Sequence, residues 1–234
     1  KNFEFGNVTF RKEGVSRFDI TEKVPGTPAG GMTYDRHAAK VTVTVTDDAD
    51  HPGKLKAKVE YNNGTASDWT DKAVFKNKYE SSLVYGATGA LNIQKVLNGR
   101  TMKAGEFEFT YGPKDGQTVK ITNPNQRGSG EPDTMNVLAD LTFDQTMSGK
   151  TQTYIVRETK GSIKGVTYDE RIGTVEITPQ DNGDGTMHVV TKVTMKNADG
   201  SGESVKTYDS SNHNSGTPTV RFTNTYAAAA TDPV

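Results

Sequence analysis

Apolar and polar side chains alternate along most of this chain with a period of two. Residues 2–10 read Asn-Phe-Glu-Phe-Gly-Asn-Val-Thr-Phe, and the alternation resumes at residues 18–22, 40–46, 54–61 and 74–79. It continues through residues 90–100, 105–111, 141–143 and 154–158, and closes at residues 220–226. No stretch of useful length carries the 3.6-residue period of a helix, and clusters of Gly, Pro, Asn and Asp separate the runs. The pattern predicts many short strands joined by turns. Two-residue spacing puts Phe222, Asn224 and Tyr226 on one face of the last strand, and Phe75, Asn77 and Tyr79 on one face of an earlier one.

That echo extends along the chain. Leu141-Thr142-Phe143 answers Val8-Thr9-Phe10, Tyr154 to Glu158 answers Phe18 to Glu22, and Val166-Thr167-Tyr168-Asp169 answers Met32-Thr33-Tyr34-Asp35. The turn at residues 181–185 answers the one at 47–53, always in the same order. An ordered repeat of this kind predicts tandem all-β domains. The expected division is a β-sandwich repeat over 1–80 that lacks its first strands, a small and polar linker over 81–89, a complete repeat over 90–226, and a lead-in to a further repeat over 227–234. Lys95 stands 63 positions before Glu158, whereas Glu22 has only 21 residues ahead of it. Lys1 aligns near Thr134, far from the Lys95 position. The first unit is therefore expected to begin inside a domain and to lack its lysine strand, which either lies outside this stretch or is supplied by another segment.

Composition narrows the chemistry. The 234 residues carry a formal net charge of −1 and no cysteine. Interspersed charges give no basic footprint for nucleic acid, and the absence of thiols removes disulfides and Cys-based zinc sites. No apolar run is long enough to span a membrane, so any anchoring segment is expected outside this stretch. The four histidines, His37, His51, His188 and His213, have no ligand spacing, so no metal and no cofactor is assigned. Asp181-Asn182-Gly183-Asp184-Gly185 lacks the spaced carboxylates and closing Glu of a calcium loop and reads as a hairpin turn. Trp69, the sole tryptophan, reads as a packed loop anchor, with part of a ligand surface as the alternative. No nucleophilic triad, phosphate loop or cofactor turn is recognisable, so a turnover enzyme is not expected.

One constellation stands out. Lys95, Glu158 and Asn224 each sit in phase with apolar neighbours two residues away: Ile93 and Leu97, Val156, and Phe222. Alternation turns all three inward, which is unusual for Lys and Glu. One reading is a buried ion pair beside an amide, or strand-end side chains reaching solvent. The other is a bond, formed when a neutral lysine amine attacks the asparagine carbonyl carbon and expels ammonia. Burial favours the neutral amine and a protonated Glu158, and a folded core supplies the proximity.

The ordered set of motifs resembles a known family. Ile93 to Arg100, Gly105 to Phe109, Tyr154 to Glu158, Gly165 to Asp169 and Phe222 to Tyr226, taken together, resemble the streptococcal-pilin isopeptide-linked domain of Gram-positive major pilins and tandem-repeat surface adhesins, related to the B-type repeats of collagen adhesins. The resemblance implies immunoglobulin-like β-sandwiches in which Lys95 is joined to Asn224 with Glu158 as catalyst. In the first unit it assigns Glu22 as catalyst and Asn77 as the amide partner. It further implies a structural stalk or pilin-type module, self-directed in its chemistry, on the cell wall or pilus of a Gram-positive bacterium. Its expected partners are neighbouring repeats of the same polypeptide, other pilin subunits or host surface ligands. A ligand-binding adhesin domain is the alternative, and it would use the loops at residues 112–133 and 197–217.

Overall fold

The computed structural model describes residues 2–65, 67 and 69–229. Lys1 and residues 230–234 of the expected lead-in lie outside the described residues. The chain forms two compact units, Lys1–Tyr79 and Glu80–Val234. Their regular elements are strands, apart from short 3-10 turns in the second, and no helix among the described residues is long and apolar enough to cross a membrane.

In the first unit the strands are β1 (Gly14–Thr21), β2 (Met32–Thr33), β3 (Ala38–Asp47), β4 (Leu55–Asn62), β5 (Trp69–Thr70) and β6 (Lys78–Tyr79). One antiparallel sheet has the order β1-β3-β4-β5, and β2 pairs with β6. The strict alternation of β3 buries Ala39, Val41, Val43 and Val45, and the three valines form the core with Phe10, Ile20, Leu55 and Tyr61 against it. Phe3, Phe5, Val8, Val15 and Phe18 remain exposed. Trp69 is not a packed loop anchor: it lies on β5 and is 48% exposed.

The second unit contains β7 (Ser82–Val84), β8 (Leu91–Asn98), β9 (Glu108–Pro113), β10 (Val119–Thr122), β11 (Pro132–Val137) and β12 (Thr142–Asp144). It continues with β13 (Gln152–Glu158), β14 (Val166–Thr167), β15 (Ile172–Asp181), β16 (Met187–Lys196), β17 (Ser204–Asp209) and β18 (Thr219–Tyr226). A six-stranded sheet, β10-β9-β13-β15-β16-β17, faces a four-stranded one, β11-β8-β18-β14. Inward residues from both meet in one core: Leu91, Ile93, Leu97, Val220 and Phe222 from the smaller sheet, and Phe109, Val156, Val175, Ile177 and Val193 from the larger. Each such side chain contributes about 1.5–3 kcal/mol by leaving water. This is an immunoglobulin-like sandwich whose first long strand, β8, lies parallel to its last, β18.

The sequence repeat has a structural counterpart. Met32 pairs with Tyr79 as Val166 pairs with Tyr226, and β1-β3-β4 corresponds to β13-β15-β16. The difference lies at the edges. In the second unit β13 also pairs with β9, and β18 also pairs with β8. In the first unit β1 pairs with β3, and β6 with β2. Residues 2–10 and 74–77, read as strands from their alternation, accordingly make no ladder, because backbone pairing is what fixes such a segment.

Other expectations give way to packing. Residues 81–89 are not a linker: β7 pairs with β12, and Tyr85, 1% exposed, begins a 3-10 turn over Tyr85–Thr88. The Tyr85 hydroxyl lies 2.9 Å from Thr191 Oγ1 in the core. The loops at 112–133 and 197–217 hold β10 and β17. The former is tied down by buried Asp133, which accepts from Asn125 N at 2.8 Å and Nδ2 at 2.9 Å. Residues 181–185 do form the expected hairpin turn, with Asp181 Oδ1 accepting from Gly183 N at 3.0 Å.

Gly99, just past β8, has φ +94°, and a Cβ there would lie 2.2 Å from the Tyr226 carbonyl oxygen. The close approach of β8 to the end of β18 needs a residue without a side chain. Gly99→Ala is expected to destabilise the second unit by about 1–3 kcal/mol or more. Calorimetry checks this, and an unchanged unfolding temperature would show that the turn relaxes freely.

Candidate functional site

The parallel pairing of β8 with β18 sets the site. Lys95 lies opposite Phe222, which places Asn224 one diagonal step along the same inward face. Glu158 reaches them from the end of β13, on the facing sheet. Lys95 Nζ donates to Glu158 Oε2 at 2.7 Å, and Asn224 Nδ2 donates to Glu158 Oε1 at 2.7 Å. The two oxygens of one carboxylate thus hold the amine and the amide side by side. Lys95 and Asn224 are 0% exposed, and the Glu158 side chain is 1% exposed.

Apolar walls surround the three groups. Lys95 Nζ lies 4.5 Å from the centroid of the Phe107 ring, and the Phe109 and Phe222 rings are 5.6 Å apart. Burial pushes the Lys95 amine down to about 8, against the attraction of Glu158, and pushes the Glu158 carboxyl up. Both shifts move the pair from ammonium and carboxylate toward amine and carboxylic acid.

A fourth residue, to which the sequence reading gave no role, orients the amide. The Asp169 backbone N–H donates to Asn224 Oδ1 at 2.8 Å, so Nδ2 is the atom turned toward Glu158. The Asp169 carboxylate is locked in turn: Oδ2 accepts from Thr223 N at 2.8 Å, and Arg171 grips both oxygens, at 2.9 Å from Nε and 2.6 Å from Nη2. Burial opposes the charge on Asp169, but the Arg171 side chain and then the Thr223 and Arg171 N–H groups outweigh it and hold the carboxyl below its usual range. The signal for Asp169 was present in the repeat, where Val166 to Asp169 matches Met32 to Asp35.

The first unit contains the same frame. Asn77 Nδ2 donates to Glu22 Oε1 at 2.7 Å, Asp35 N donates to Asn77 Oδ1 at 2.8 Å, and Lys76 N donates to Asp35 Oδ2 at 2.8 Å. His37 stands where Arg171 does, with Nδ1 2.6 Å from Asp35 Oδ1 and its ring stacked on Phe75. The Lys76 N–H, then His37, draw the Asp35 carboxyl down to about 2. Glu22 Oε2, the counterpart of the oxygen that takes Lys95, is buried without a hydrogen-bond partner. Four of the five sequence-derived residues therefore occupy corresponding places, and Lys95 has no equivalent among the described residues of the first unit. No cluster of potential metal ligands occurs among the described residues.

Comparison with solved structures finds the major pilin of Streptococcus pyogenes at 19% identity and TM-score 0.32, covering 96% of this chain and 74% of that one. The T-13 major pilin of the same species matches at 17% identity and TM-score 0.25, covering 94% and 70%. A T3.2 major pilin, also from Streptococcus pyogenes, matches at 18% identity and TM-score 0.24, covering 93% and 69%. Comparison with curated proteins gives no match. The family model described as FctA, the Spy0128-like isopeptide containing domain, matches residues 1–80 and 91–227, nearly the whole chain, and the chain belongs to that family.

Proposed function

We propose that the second unit closes an isopeptide bond between Lys95 Nζ and Asn224 Cγ, with Glu158 carrying the protons. The observation behind this is the bridging carboxylate, with each oxygen 2.7 Å from one reacting partner. An amine that titrates near 8 is about one-tenth neutral at pH 7, against roughly one in 10³ for an ordinary lysine. Proton transfer within the ion pair leaves Lys95 as amine and Glu158 as acid. The amine lone pair adds to Asn224 Cγ, and the Asp169 N–H stabilises the charge that develops on Oδ1. Glu158 gives its proton to Nδ2 and takes one from the attacking nitrogen. The Cγ–Nδ2 bond then breaks, and ammonia leaves with the two amide hydrogens and the one from Glu158. The acid is restored, so the balance is amine plus primary amide to secondary amide plus ammonia. Because the three groups are shut off from solvent, the reaction is self-directed.

A mechanical role goes with this chemistry. In parallel neighbours such as β8 and β18, the start of one strand and the end of the other lie at opposite ends of the unit. Tension applied there loads their hydrogen bonds in shear and runs through a Lys95–Asn224 link, sparing the 128 residues between. We assign the chain the role of a load-bearing stalk or pilin-type module on a Gram-positive cell wall or pilus, with neighbouring repeats and other pilin subunits as its partners. Intact-mass spectrometry tests the bond. The chain is expected to weigh less than its sequence by one ammonia, and Lys95→Ala, Asn224→Ala and Glu158→Ala each to recover the full mass. A parent chain at full mass would refute the reading.

A further inference from the structure

We infer that Asn123 is a positioning residue for the Lys95–Asn224 bond: it grips the backbone of Phe107, keeps that ring over the Lys95 amine, and so keeps water away from the reacting nitrogen. This role rests on the proposed reaction and gives a part in it to a residue that touches none of the reacting atoms.

Phe107 is held in an unusual way. β9 and β10 pair as far as Glu108 opposite Thr122, and the next residues along are Phe107 and Asn123. A continued ladder would give the Phe107 N–H to the Asn123 carbonyl. That carbonyl instead accepts from Gly105 N at 2.7 Å, and the side chain takes its place, with Asn123 Oδ1 accepting from Phe107 N at 2.8 Å. Asn123 N donates to Phe107 O at 3.1 Å. Asn123 Nδ2 donates to Lys103 O at 2.7 Å and to Asn125 O at 3.2 Å. Asn123 is 0% exposed. A buried amide needs partners of this kind, and here they converge on one wall of the site.

That wall bears on the chemistry. The buried Phe107 ring has its centroid 4.5 Å from Lys95 Nζ and meets the Tyr168 ring edge to face at 6.0 Å. Carboxylates approach the amine from several elements. Glu158 on β13 bonds it at 2.7 Å. Asp133 lies opposite Lys95 on β11, where its oxygens accept from Asn125 and Arg127 Nε is 3.4 Å away. Asp169, after β14, is gripped by Arg171. Glu158 and Asp169 favour the charged amine, and burial outweighs them. The ring's own attraction for a cation is smaller than the hydration it displaces. Keeping the amine ready to react therefore depends on Phe107 staying in place. Asn123 also binds Asn125, so one side chain secures both the ring and the loop that occupies Asp133.

The test titrates Lys95 in the full chain carrying Asn224→Ala, in which the bond cannot form and the amine stays free. Lysine is labelled with carbon-13 at Cε, and the Lys95 resonance is identified by its loss in Lys95→Met. Its midpoint is expected at about 8. Asn123→Ala is expected to raise it by about one pH unit or more as water reaches the amine. Asn123→Ser, which keeps a hydroxyl at this place, should raise it by less, and decides the matter if circular dichroism shows that Asn123→Ala does not fold. Tyr85→Phe controls for general loosening: it removes the hydrogen bond to Thr191 in the same core and should leave the midpoint where it is. With Asn224 intact, in chains recovered in urea and diluted into buffer, Asn123→Ala should slow ammonia loss about tenfold for each pH unit of that rise. An unmoved midpoint in the folded Asn123 variants, an equal rise with Tyr85→Phe, or ammonia loss as fast as in the parent overturns the inference. Intact mass of the parent keeps the two readings apart. Ammonia loss with an unmoved midpoint removes only the role of Asn123, whereas a parent at full mass removes the proposed reaction itself.

Discussion

Asn224→Ala is expected to lower the calorimetric unfolding temperature of the second unit by about 10–20 °C. The cross-link would close a loop of 128 residues, and constraining a loop of that length in the unfolded chain is worth on the order of 4–5 kcal/mol in the chain-entropy account. In a unit of this size each kcal/mol moves the transition by about 2–4 °C. The substitution also strips the Asp169 N–H of its acceptor, which adds to the loss. Lys95→Met separates the bond from the Asn224–Asp169 contact, because it keeps the volume and leaves that contact in place while removing the amine, at the cost of leaving Glu158 Oε2 without its cation. Both variants should melt well below the parent. Trp69 sits in the first unit, so its fluorescence offers a control that should not shift with either substitution. A Lys95→Met chain that melts with the parent would mean that no covalent constraint acts there.

Glu158 should produce a larger loss than either partner. In Glu158→Ala the Lys95 amine stays between Phe107 and the core without the carboxylate that pairs it. Breaking a buried ion pair on one side costs about 3–5 kcal/mol, in addition to the bond that no longer forms. Glu158→Gln should likewise block ammonia loss but cost less, since an amide can still bond to Asn224. The double variant Lys95→Met with Glu158→Leu should recover the burial part of the loss and none of the covalent part. Urea unfolding midpoints read alongside intact mass check this set. A Glu158→Ala chain that still loses ammonia would remove Glu158 from the proton path.

The period-two pattern carried the architecture: it fixes which faces of β3, β8, β13, β15 and β18 turn inward, and with them the inward aim of Lys95, Glu158 and Asn224. The repeat then exposed the frame shared by Glu22 and Asn77. Alternation has no information about pairing. It predicted strands at residues 2–10 and 74–79, yet among these described residues only Lys78–Tyr79 joins a ladder, since pairing depends on neighbours distant in sequence. It also passed over β7 and Tyr85, whose burial depends on contacts with β12 and Thr191 far along the chain.

The sequence by itself determined the kinds of group and their faces: an amine, a carboxyl and an amide on inward positions of three strands, in a chain built of repeated β units. Only the tertiary structure decided that they share one carboxylate, because that depends on β8 and β18 lying parallel and β13 facing them across the core. It also decided the part of Asp169, whose backbone N–H rather than its side chain meets Asn224, a contact that no residue type encodes. The pKa shifts belong there too, since desolvation is a property of the packed site and not of any one residue.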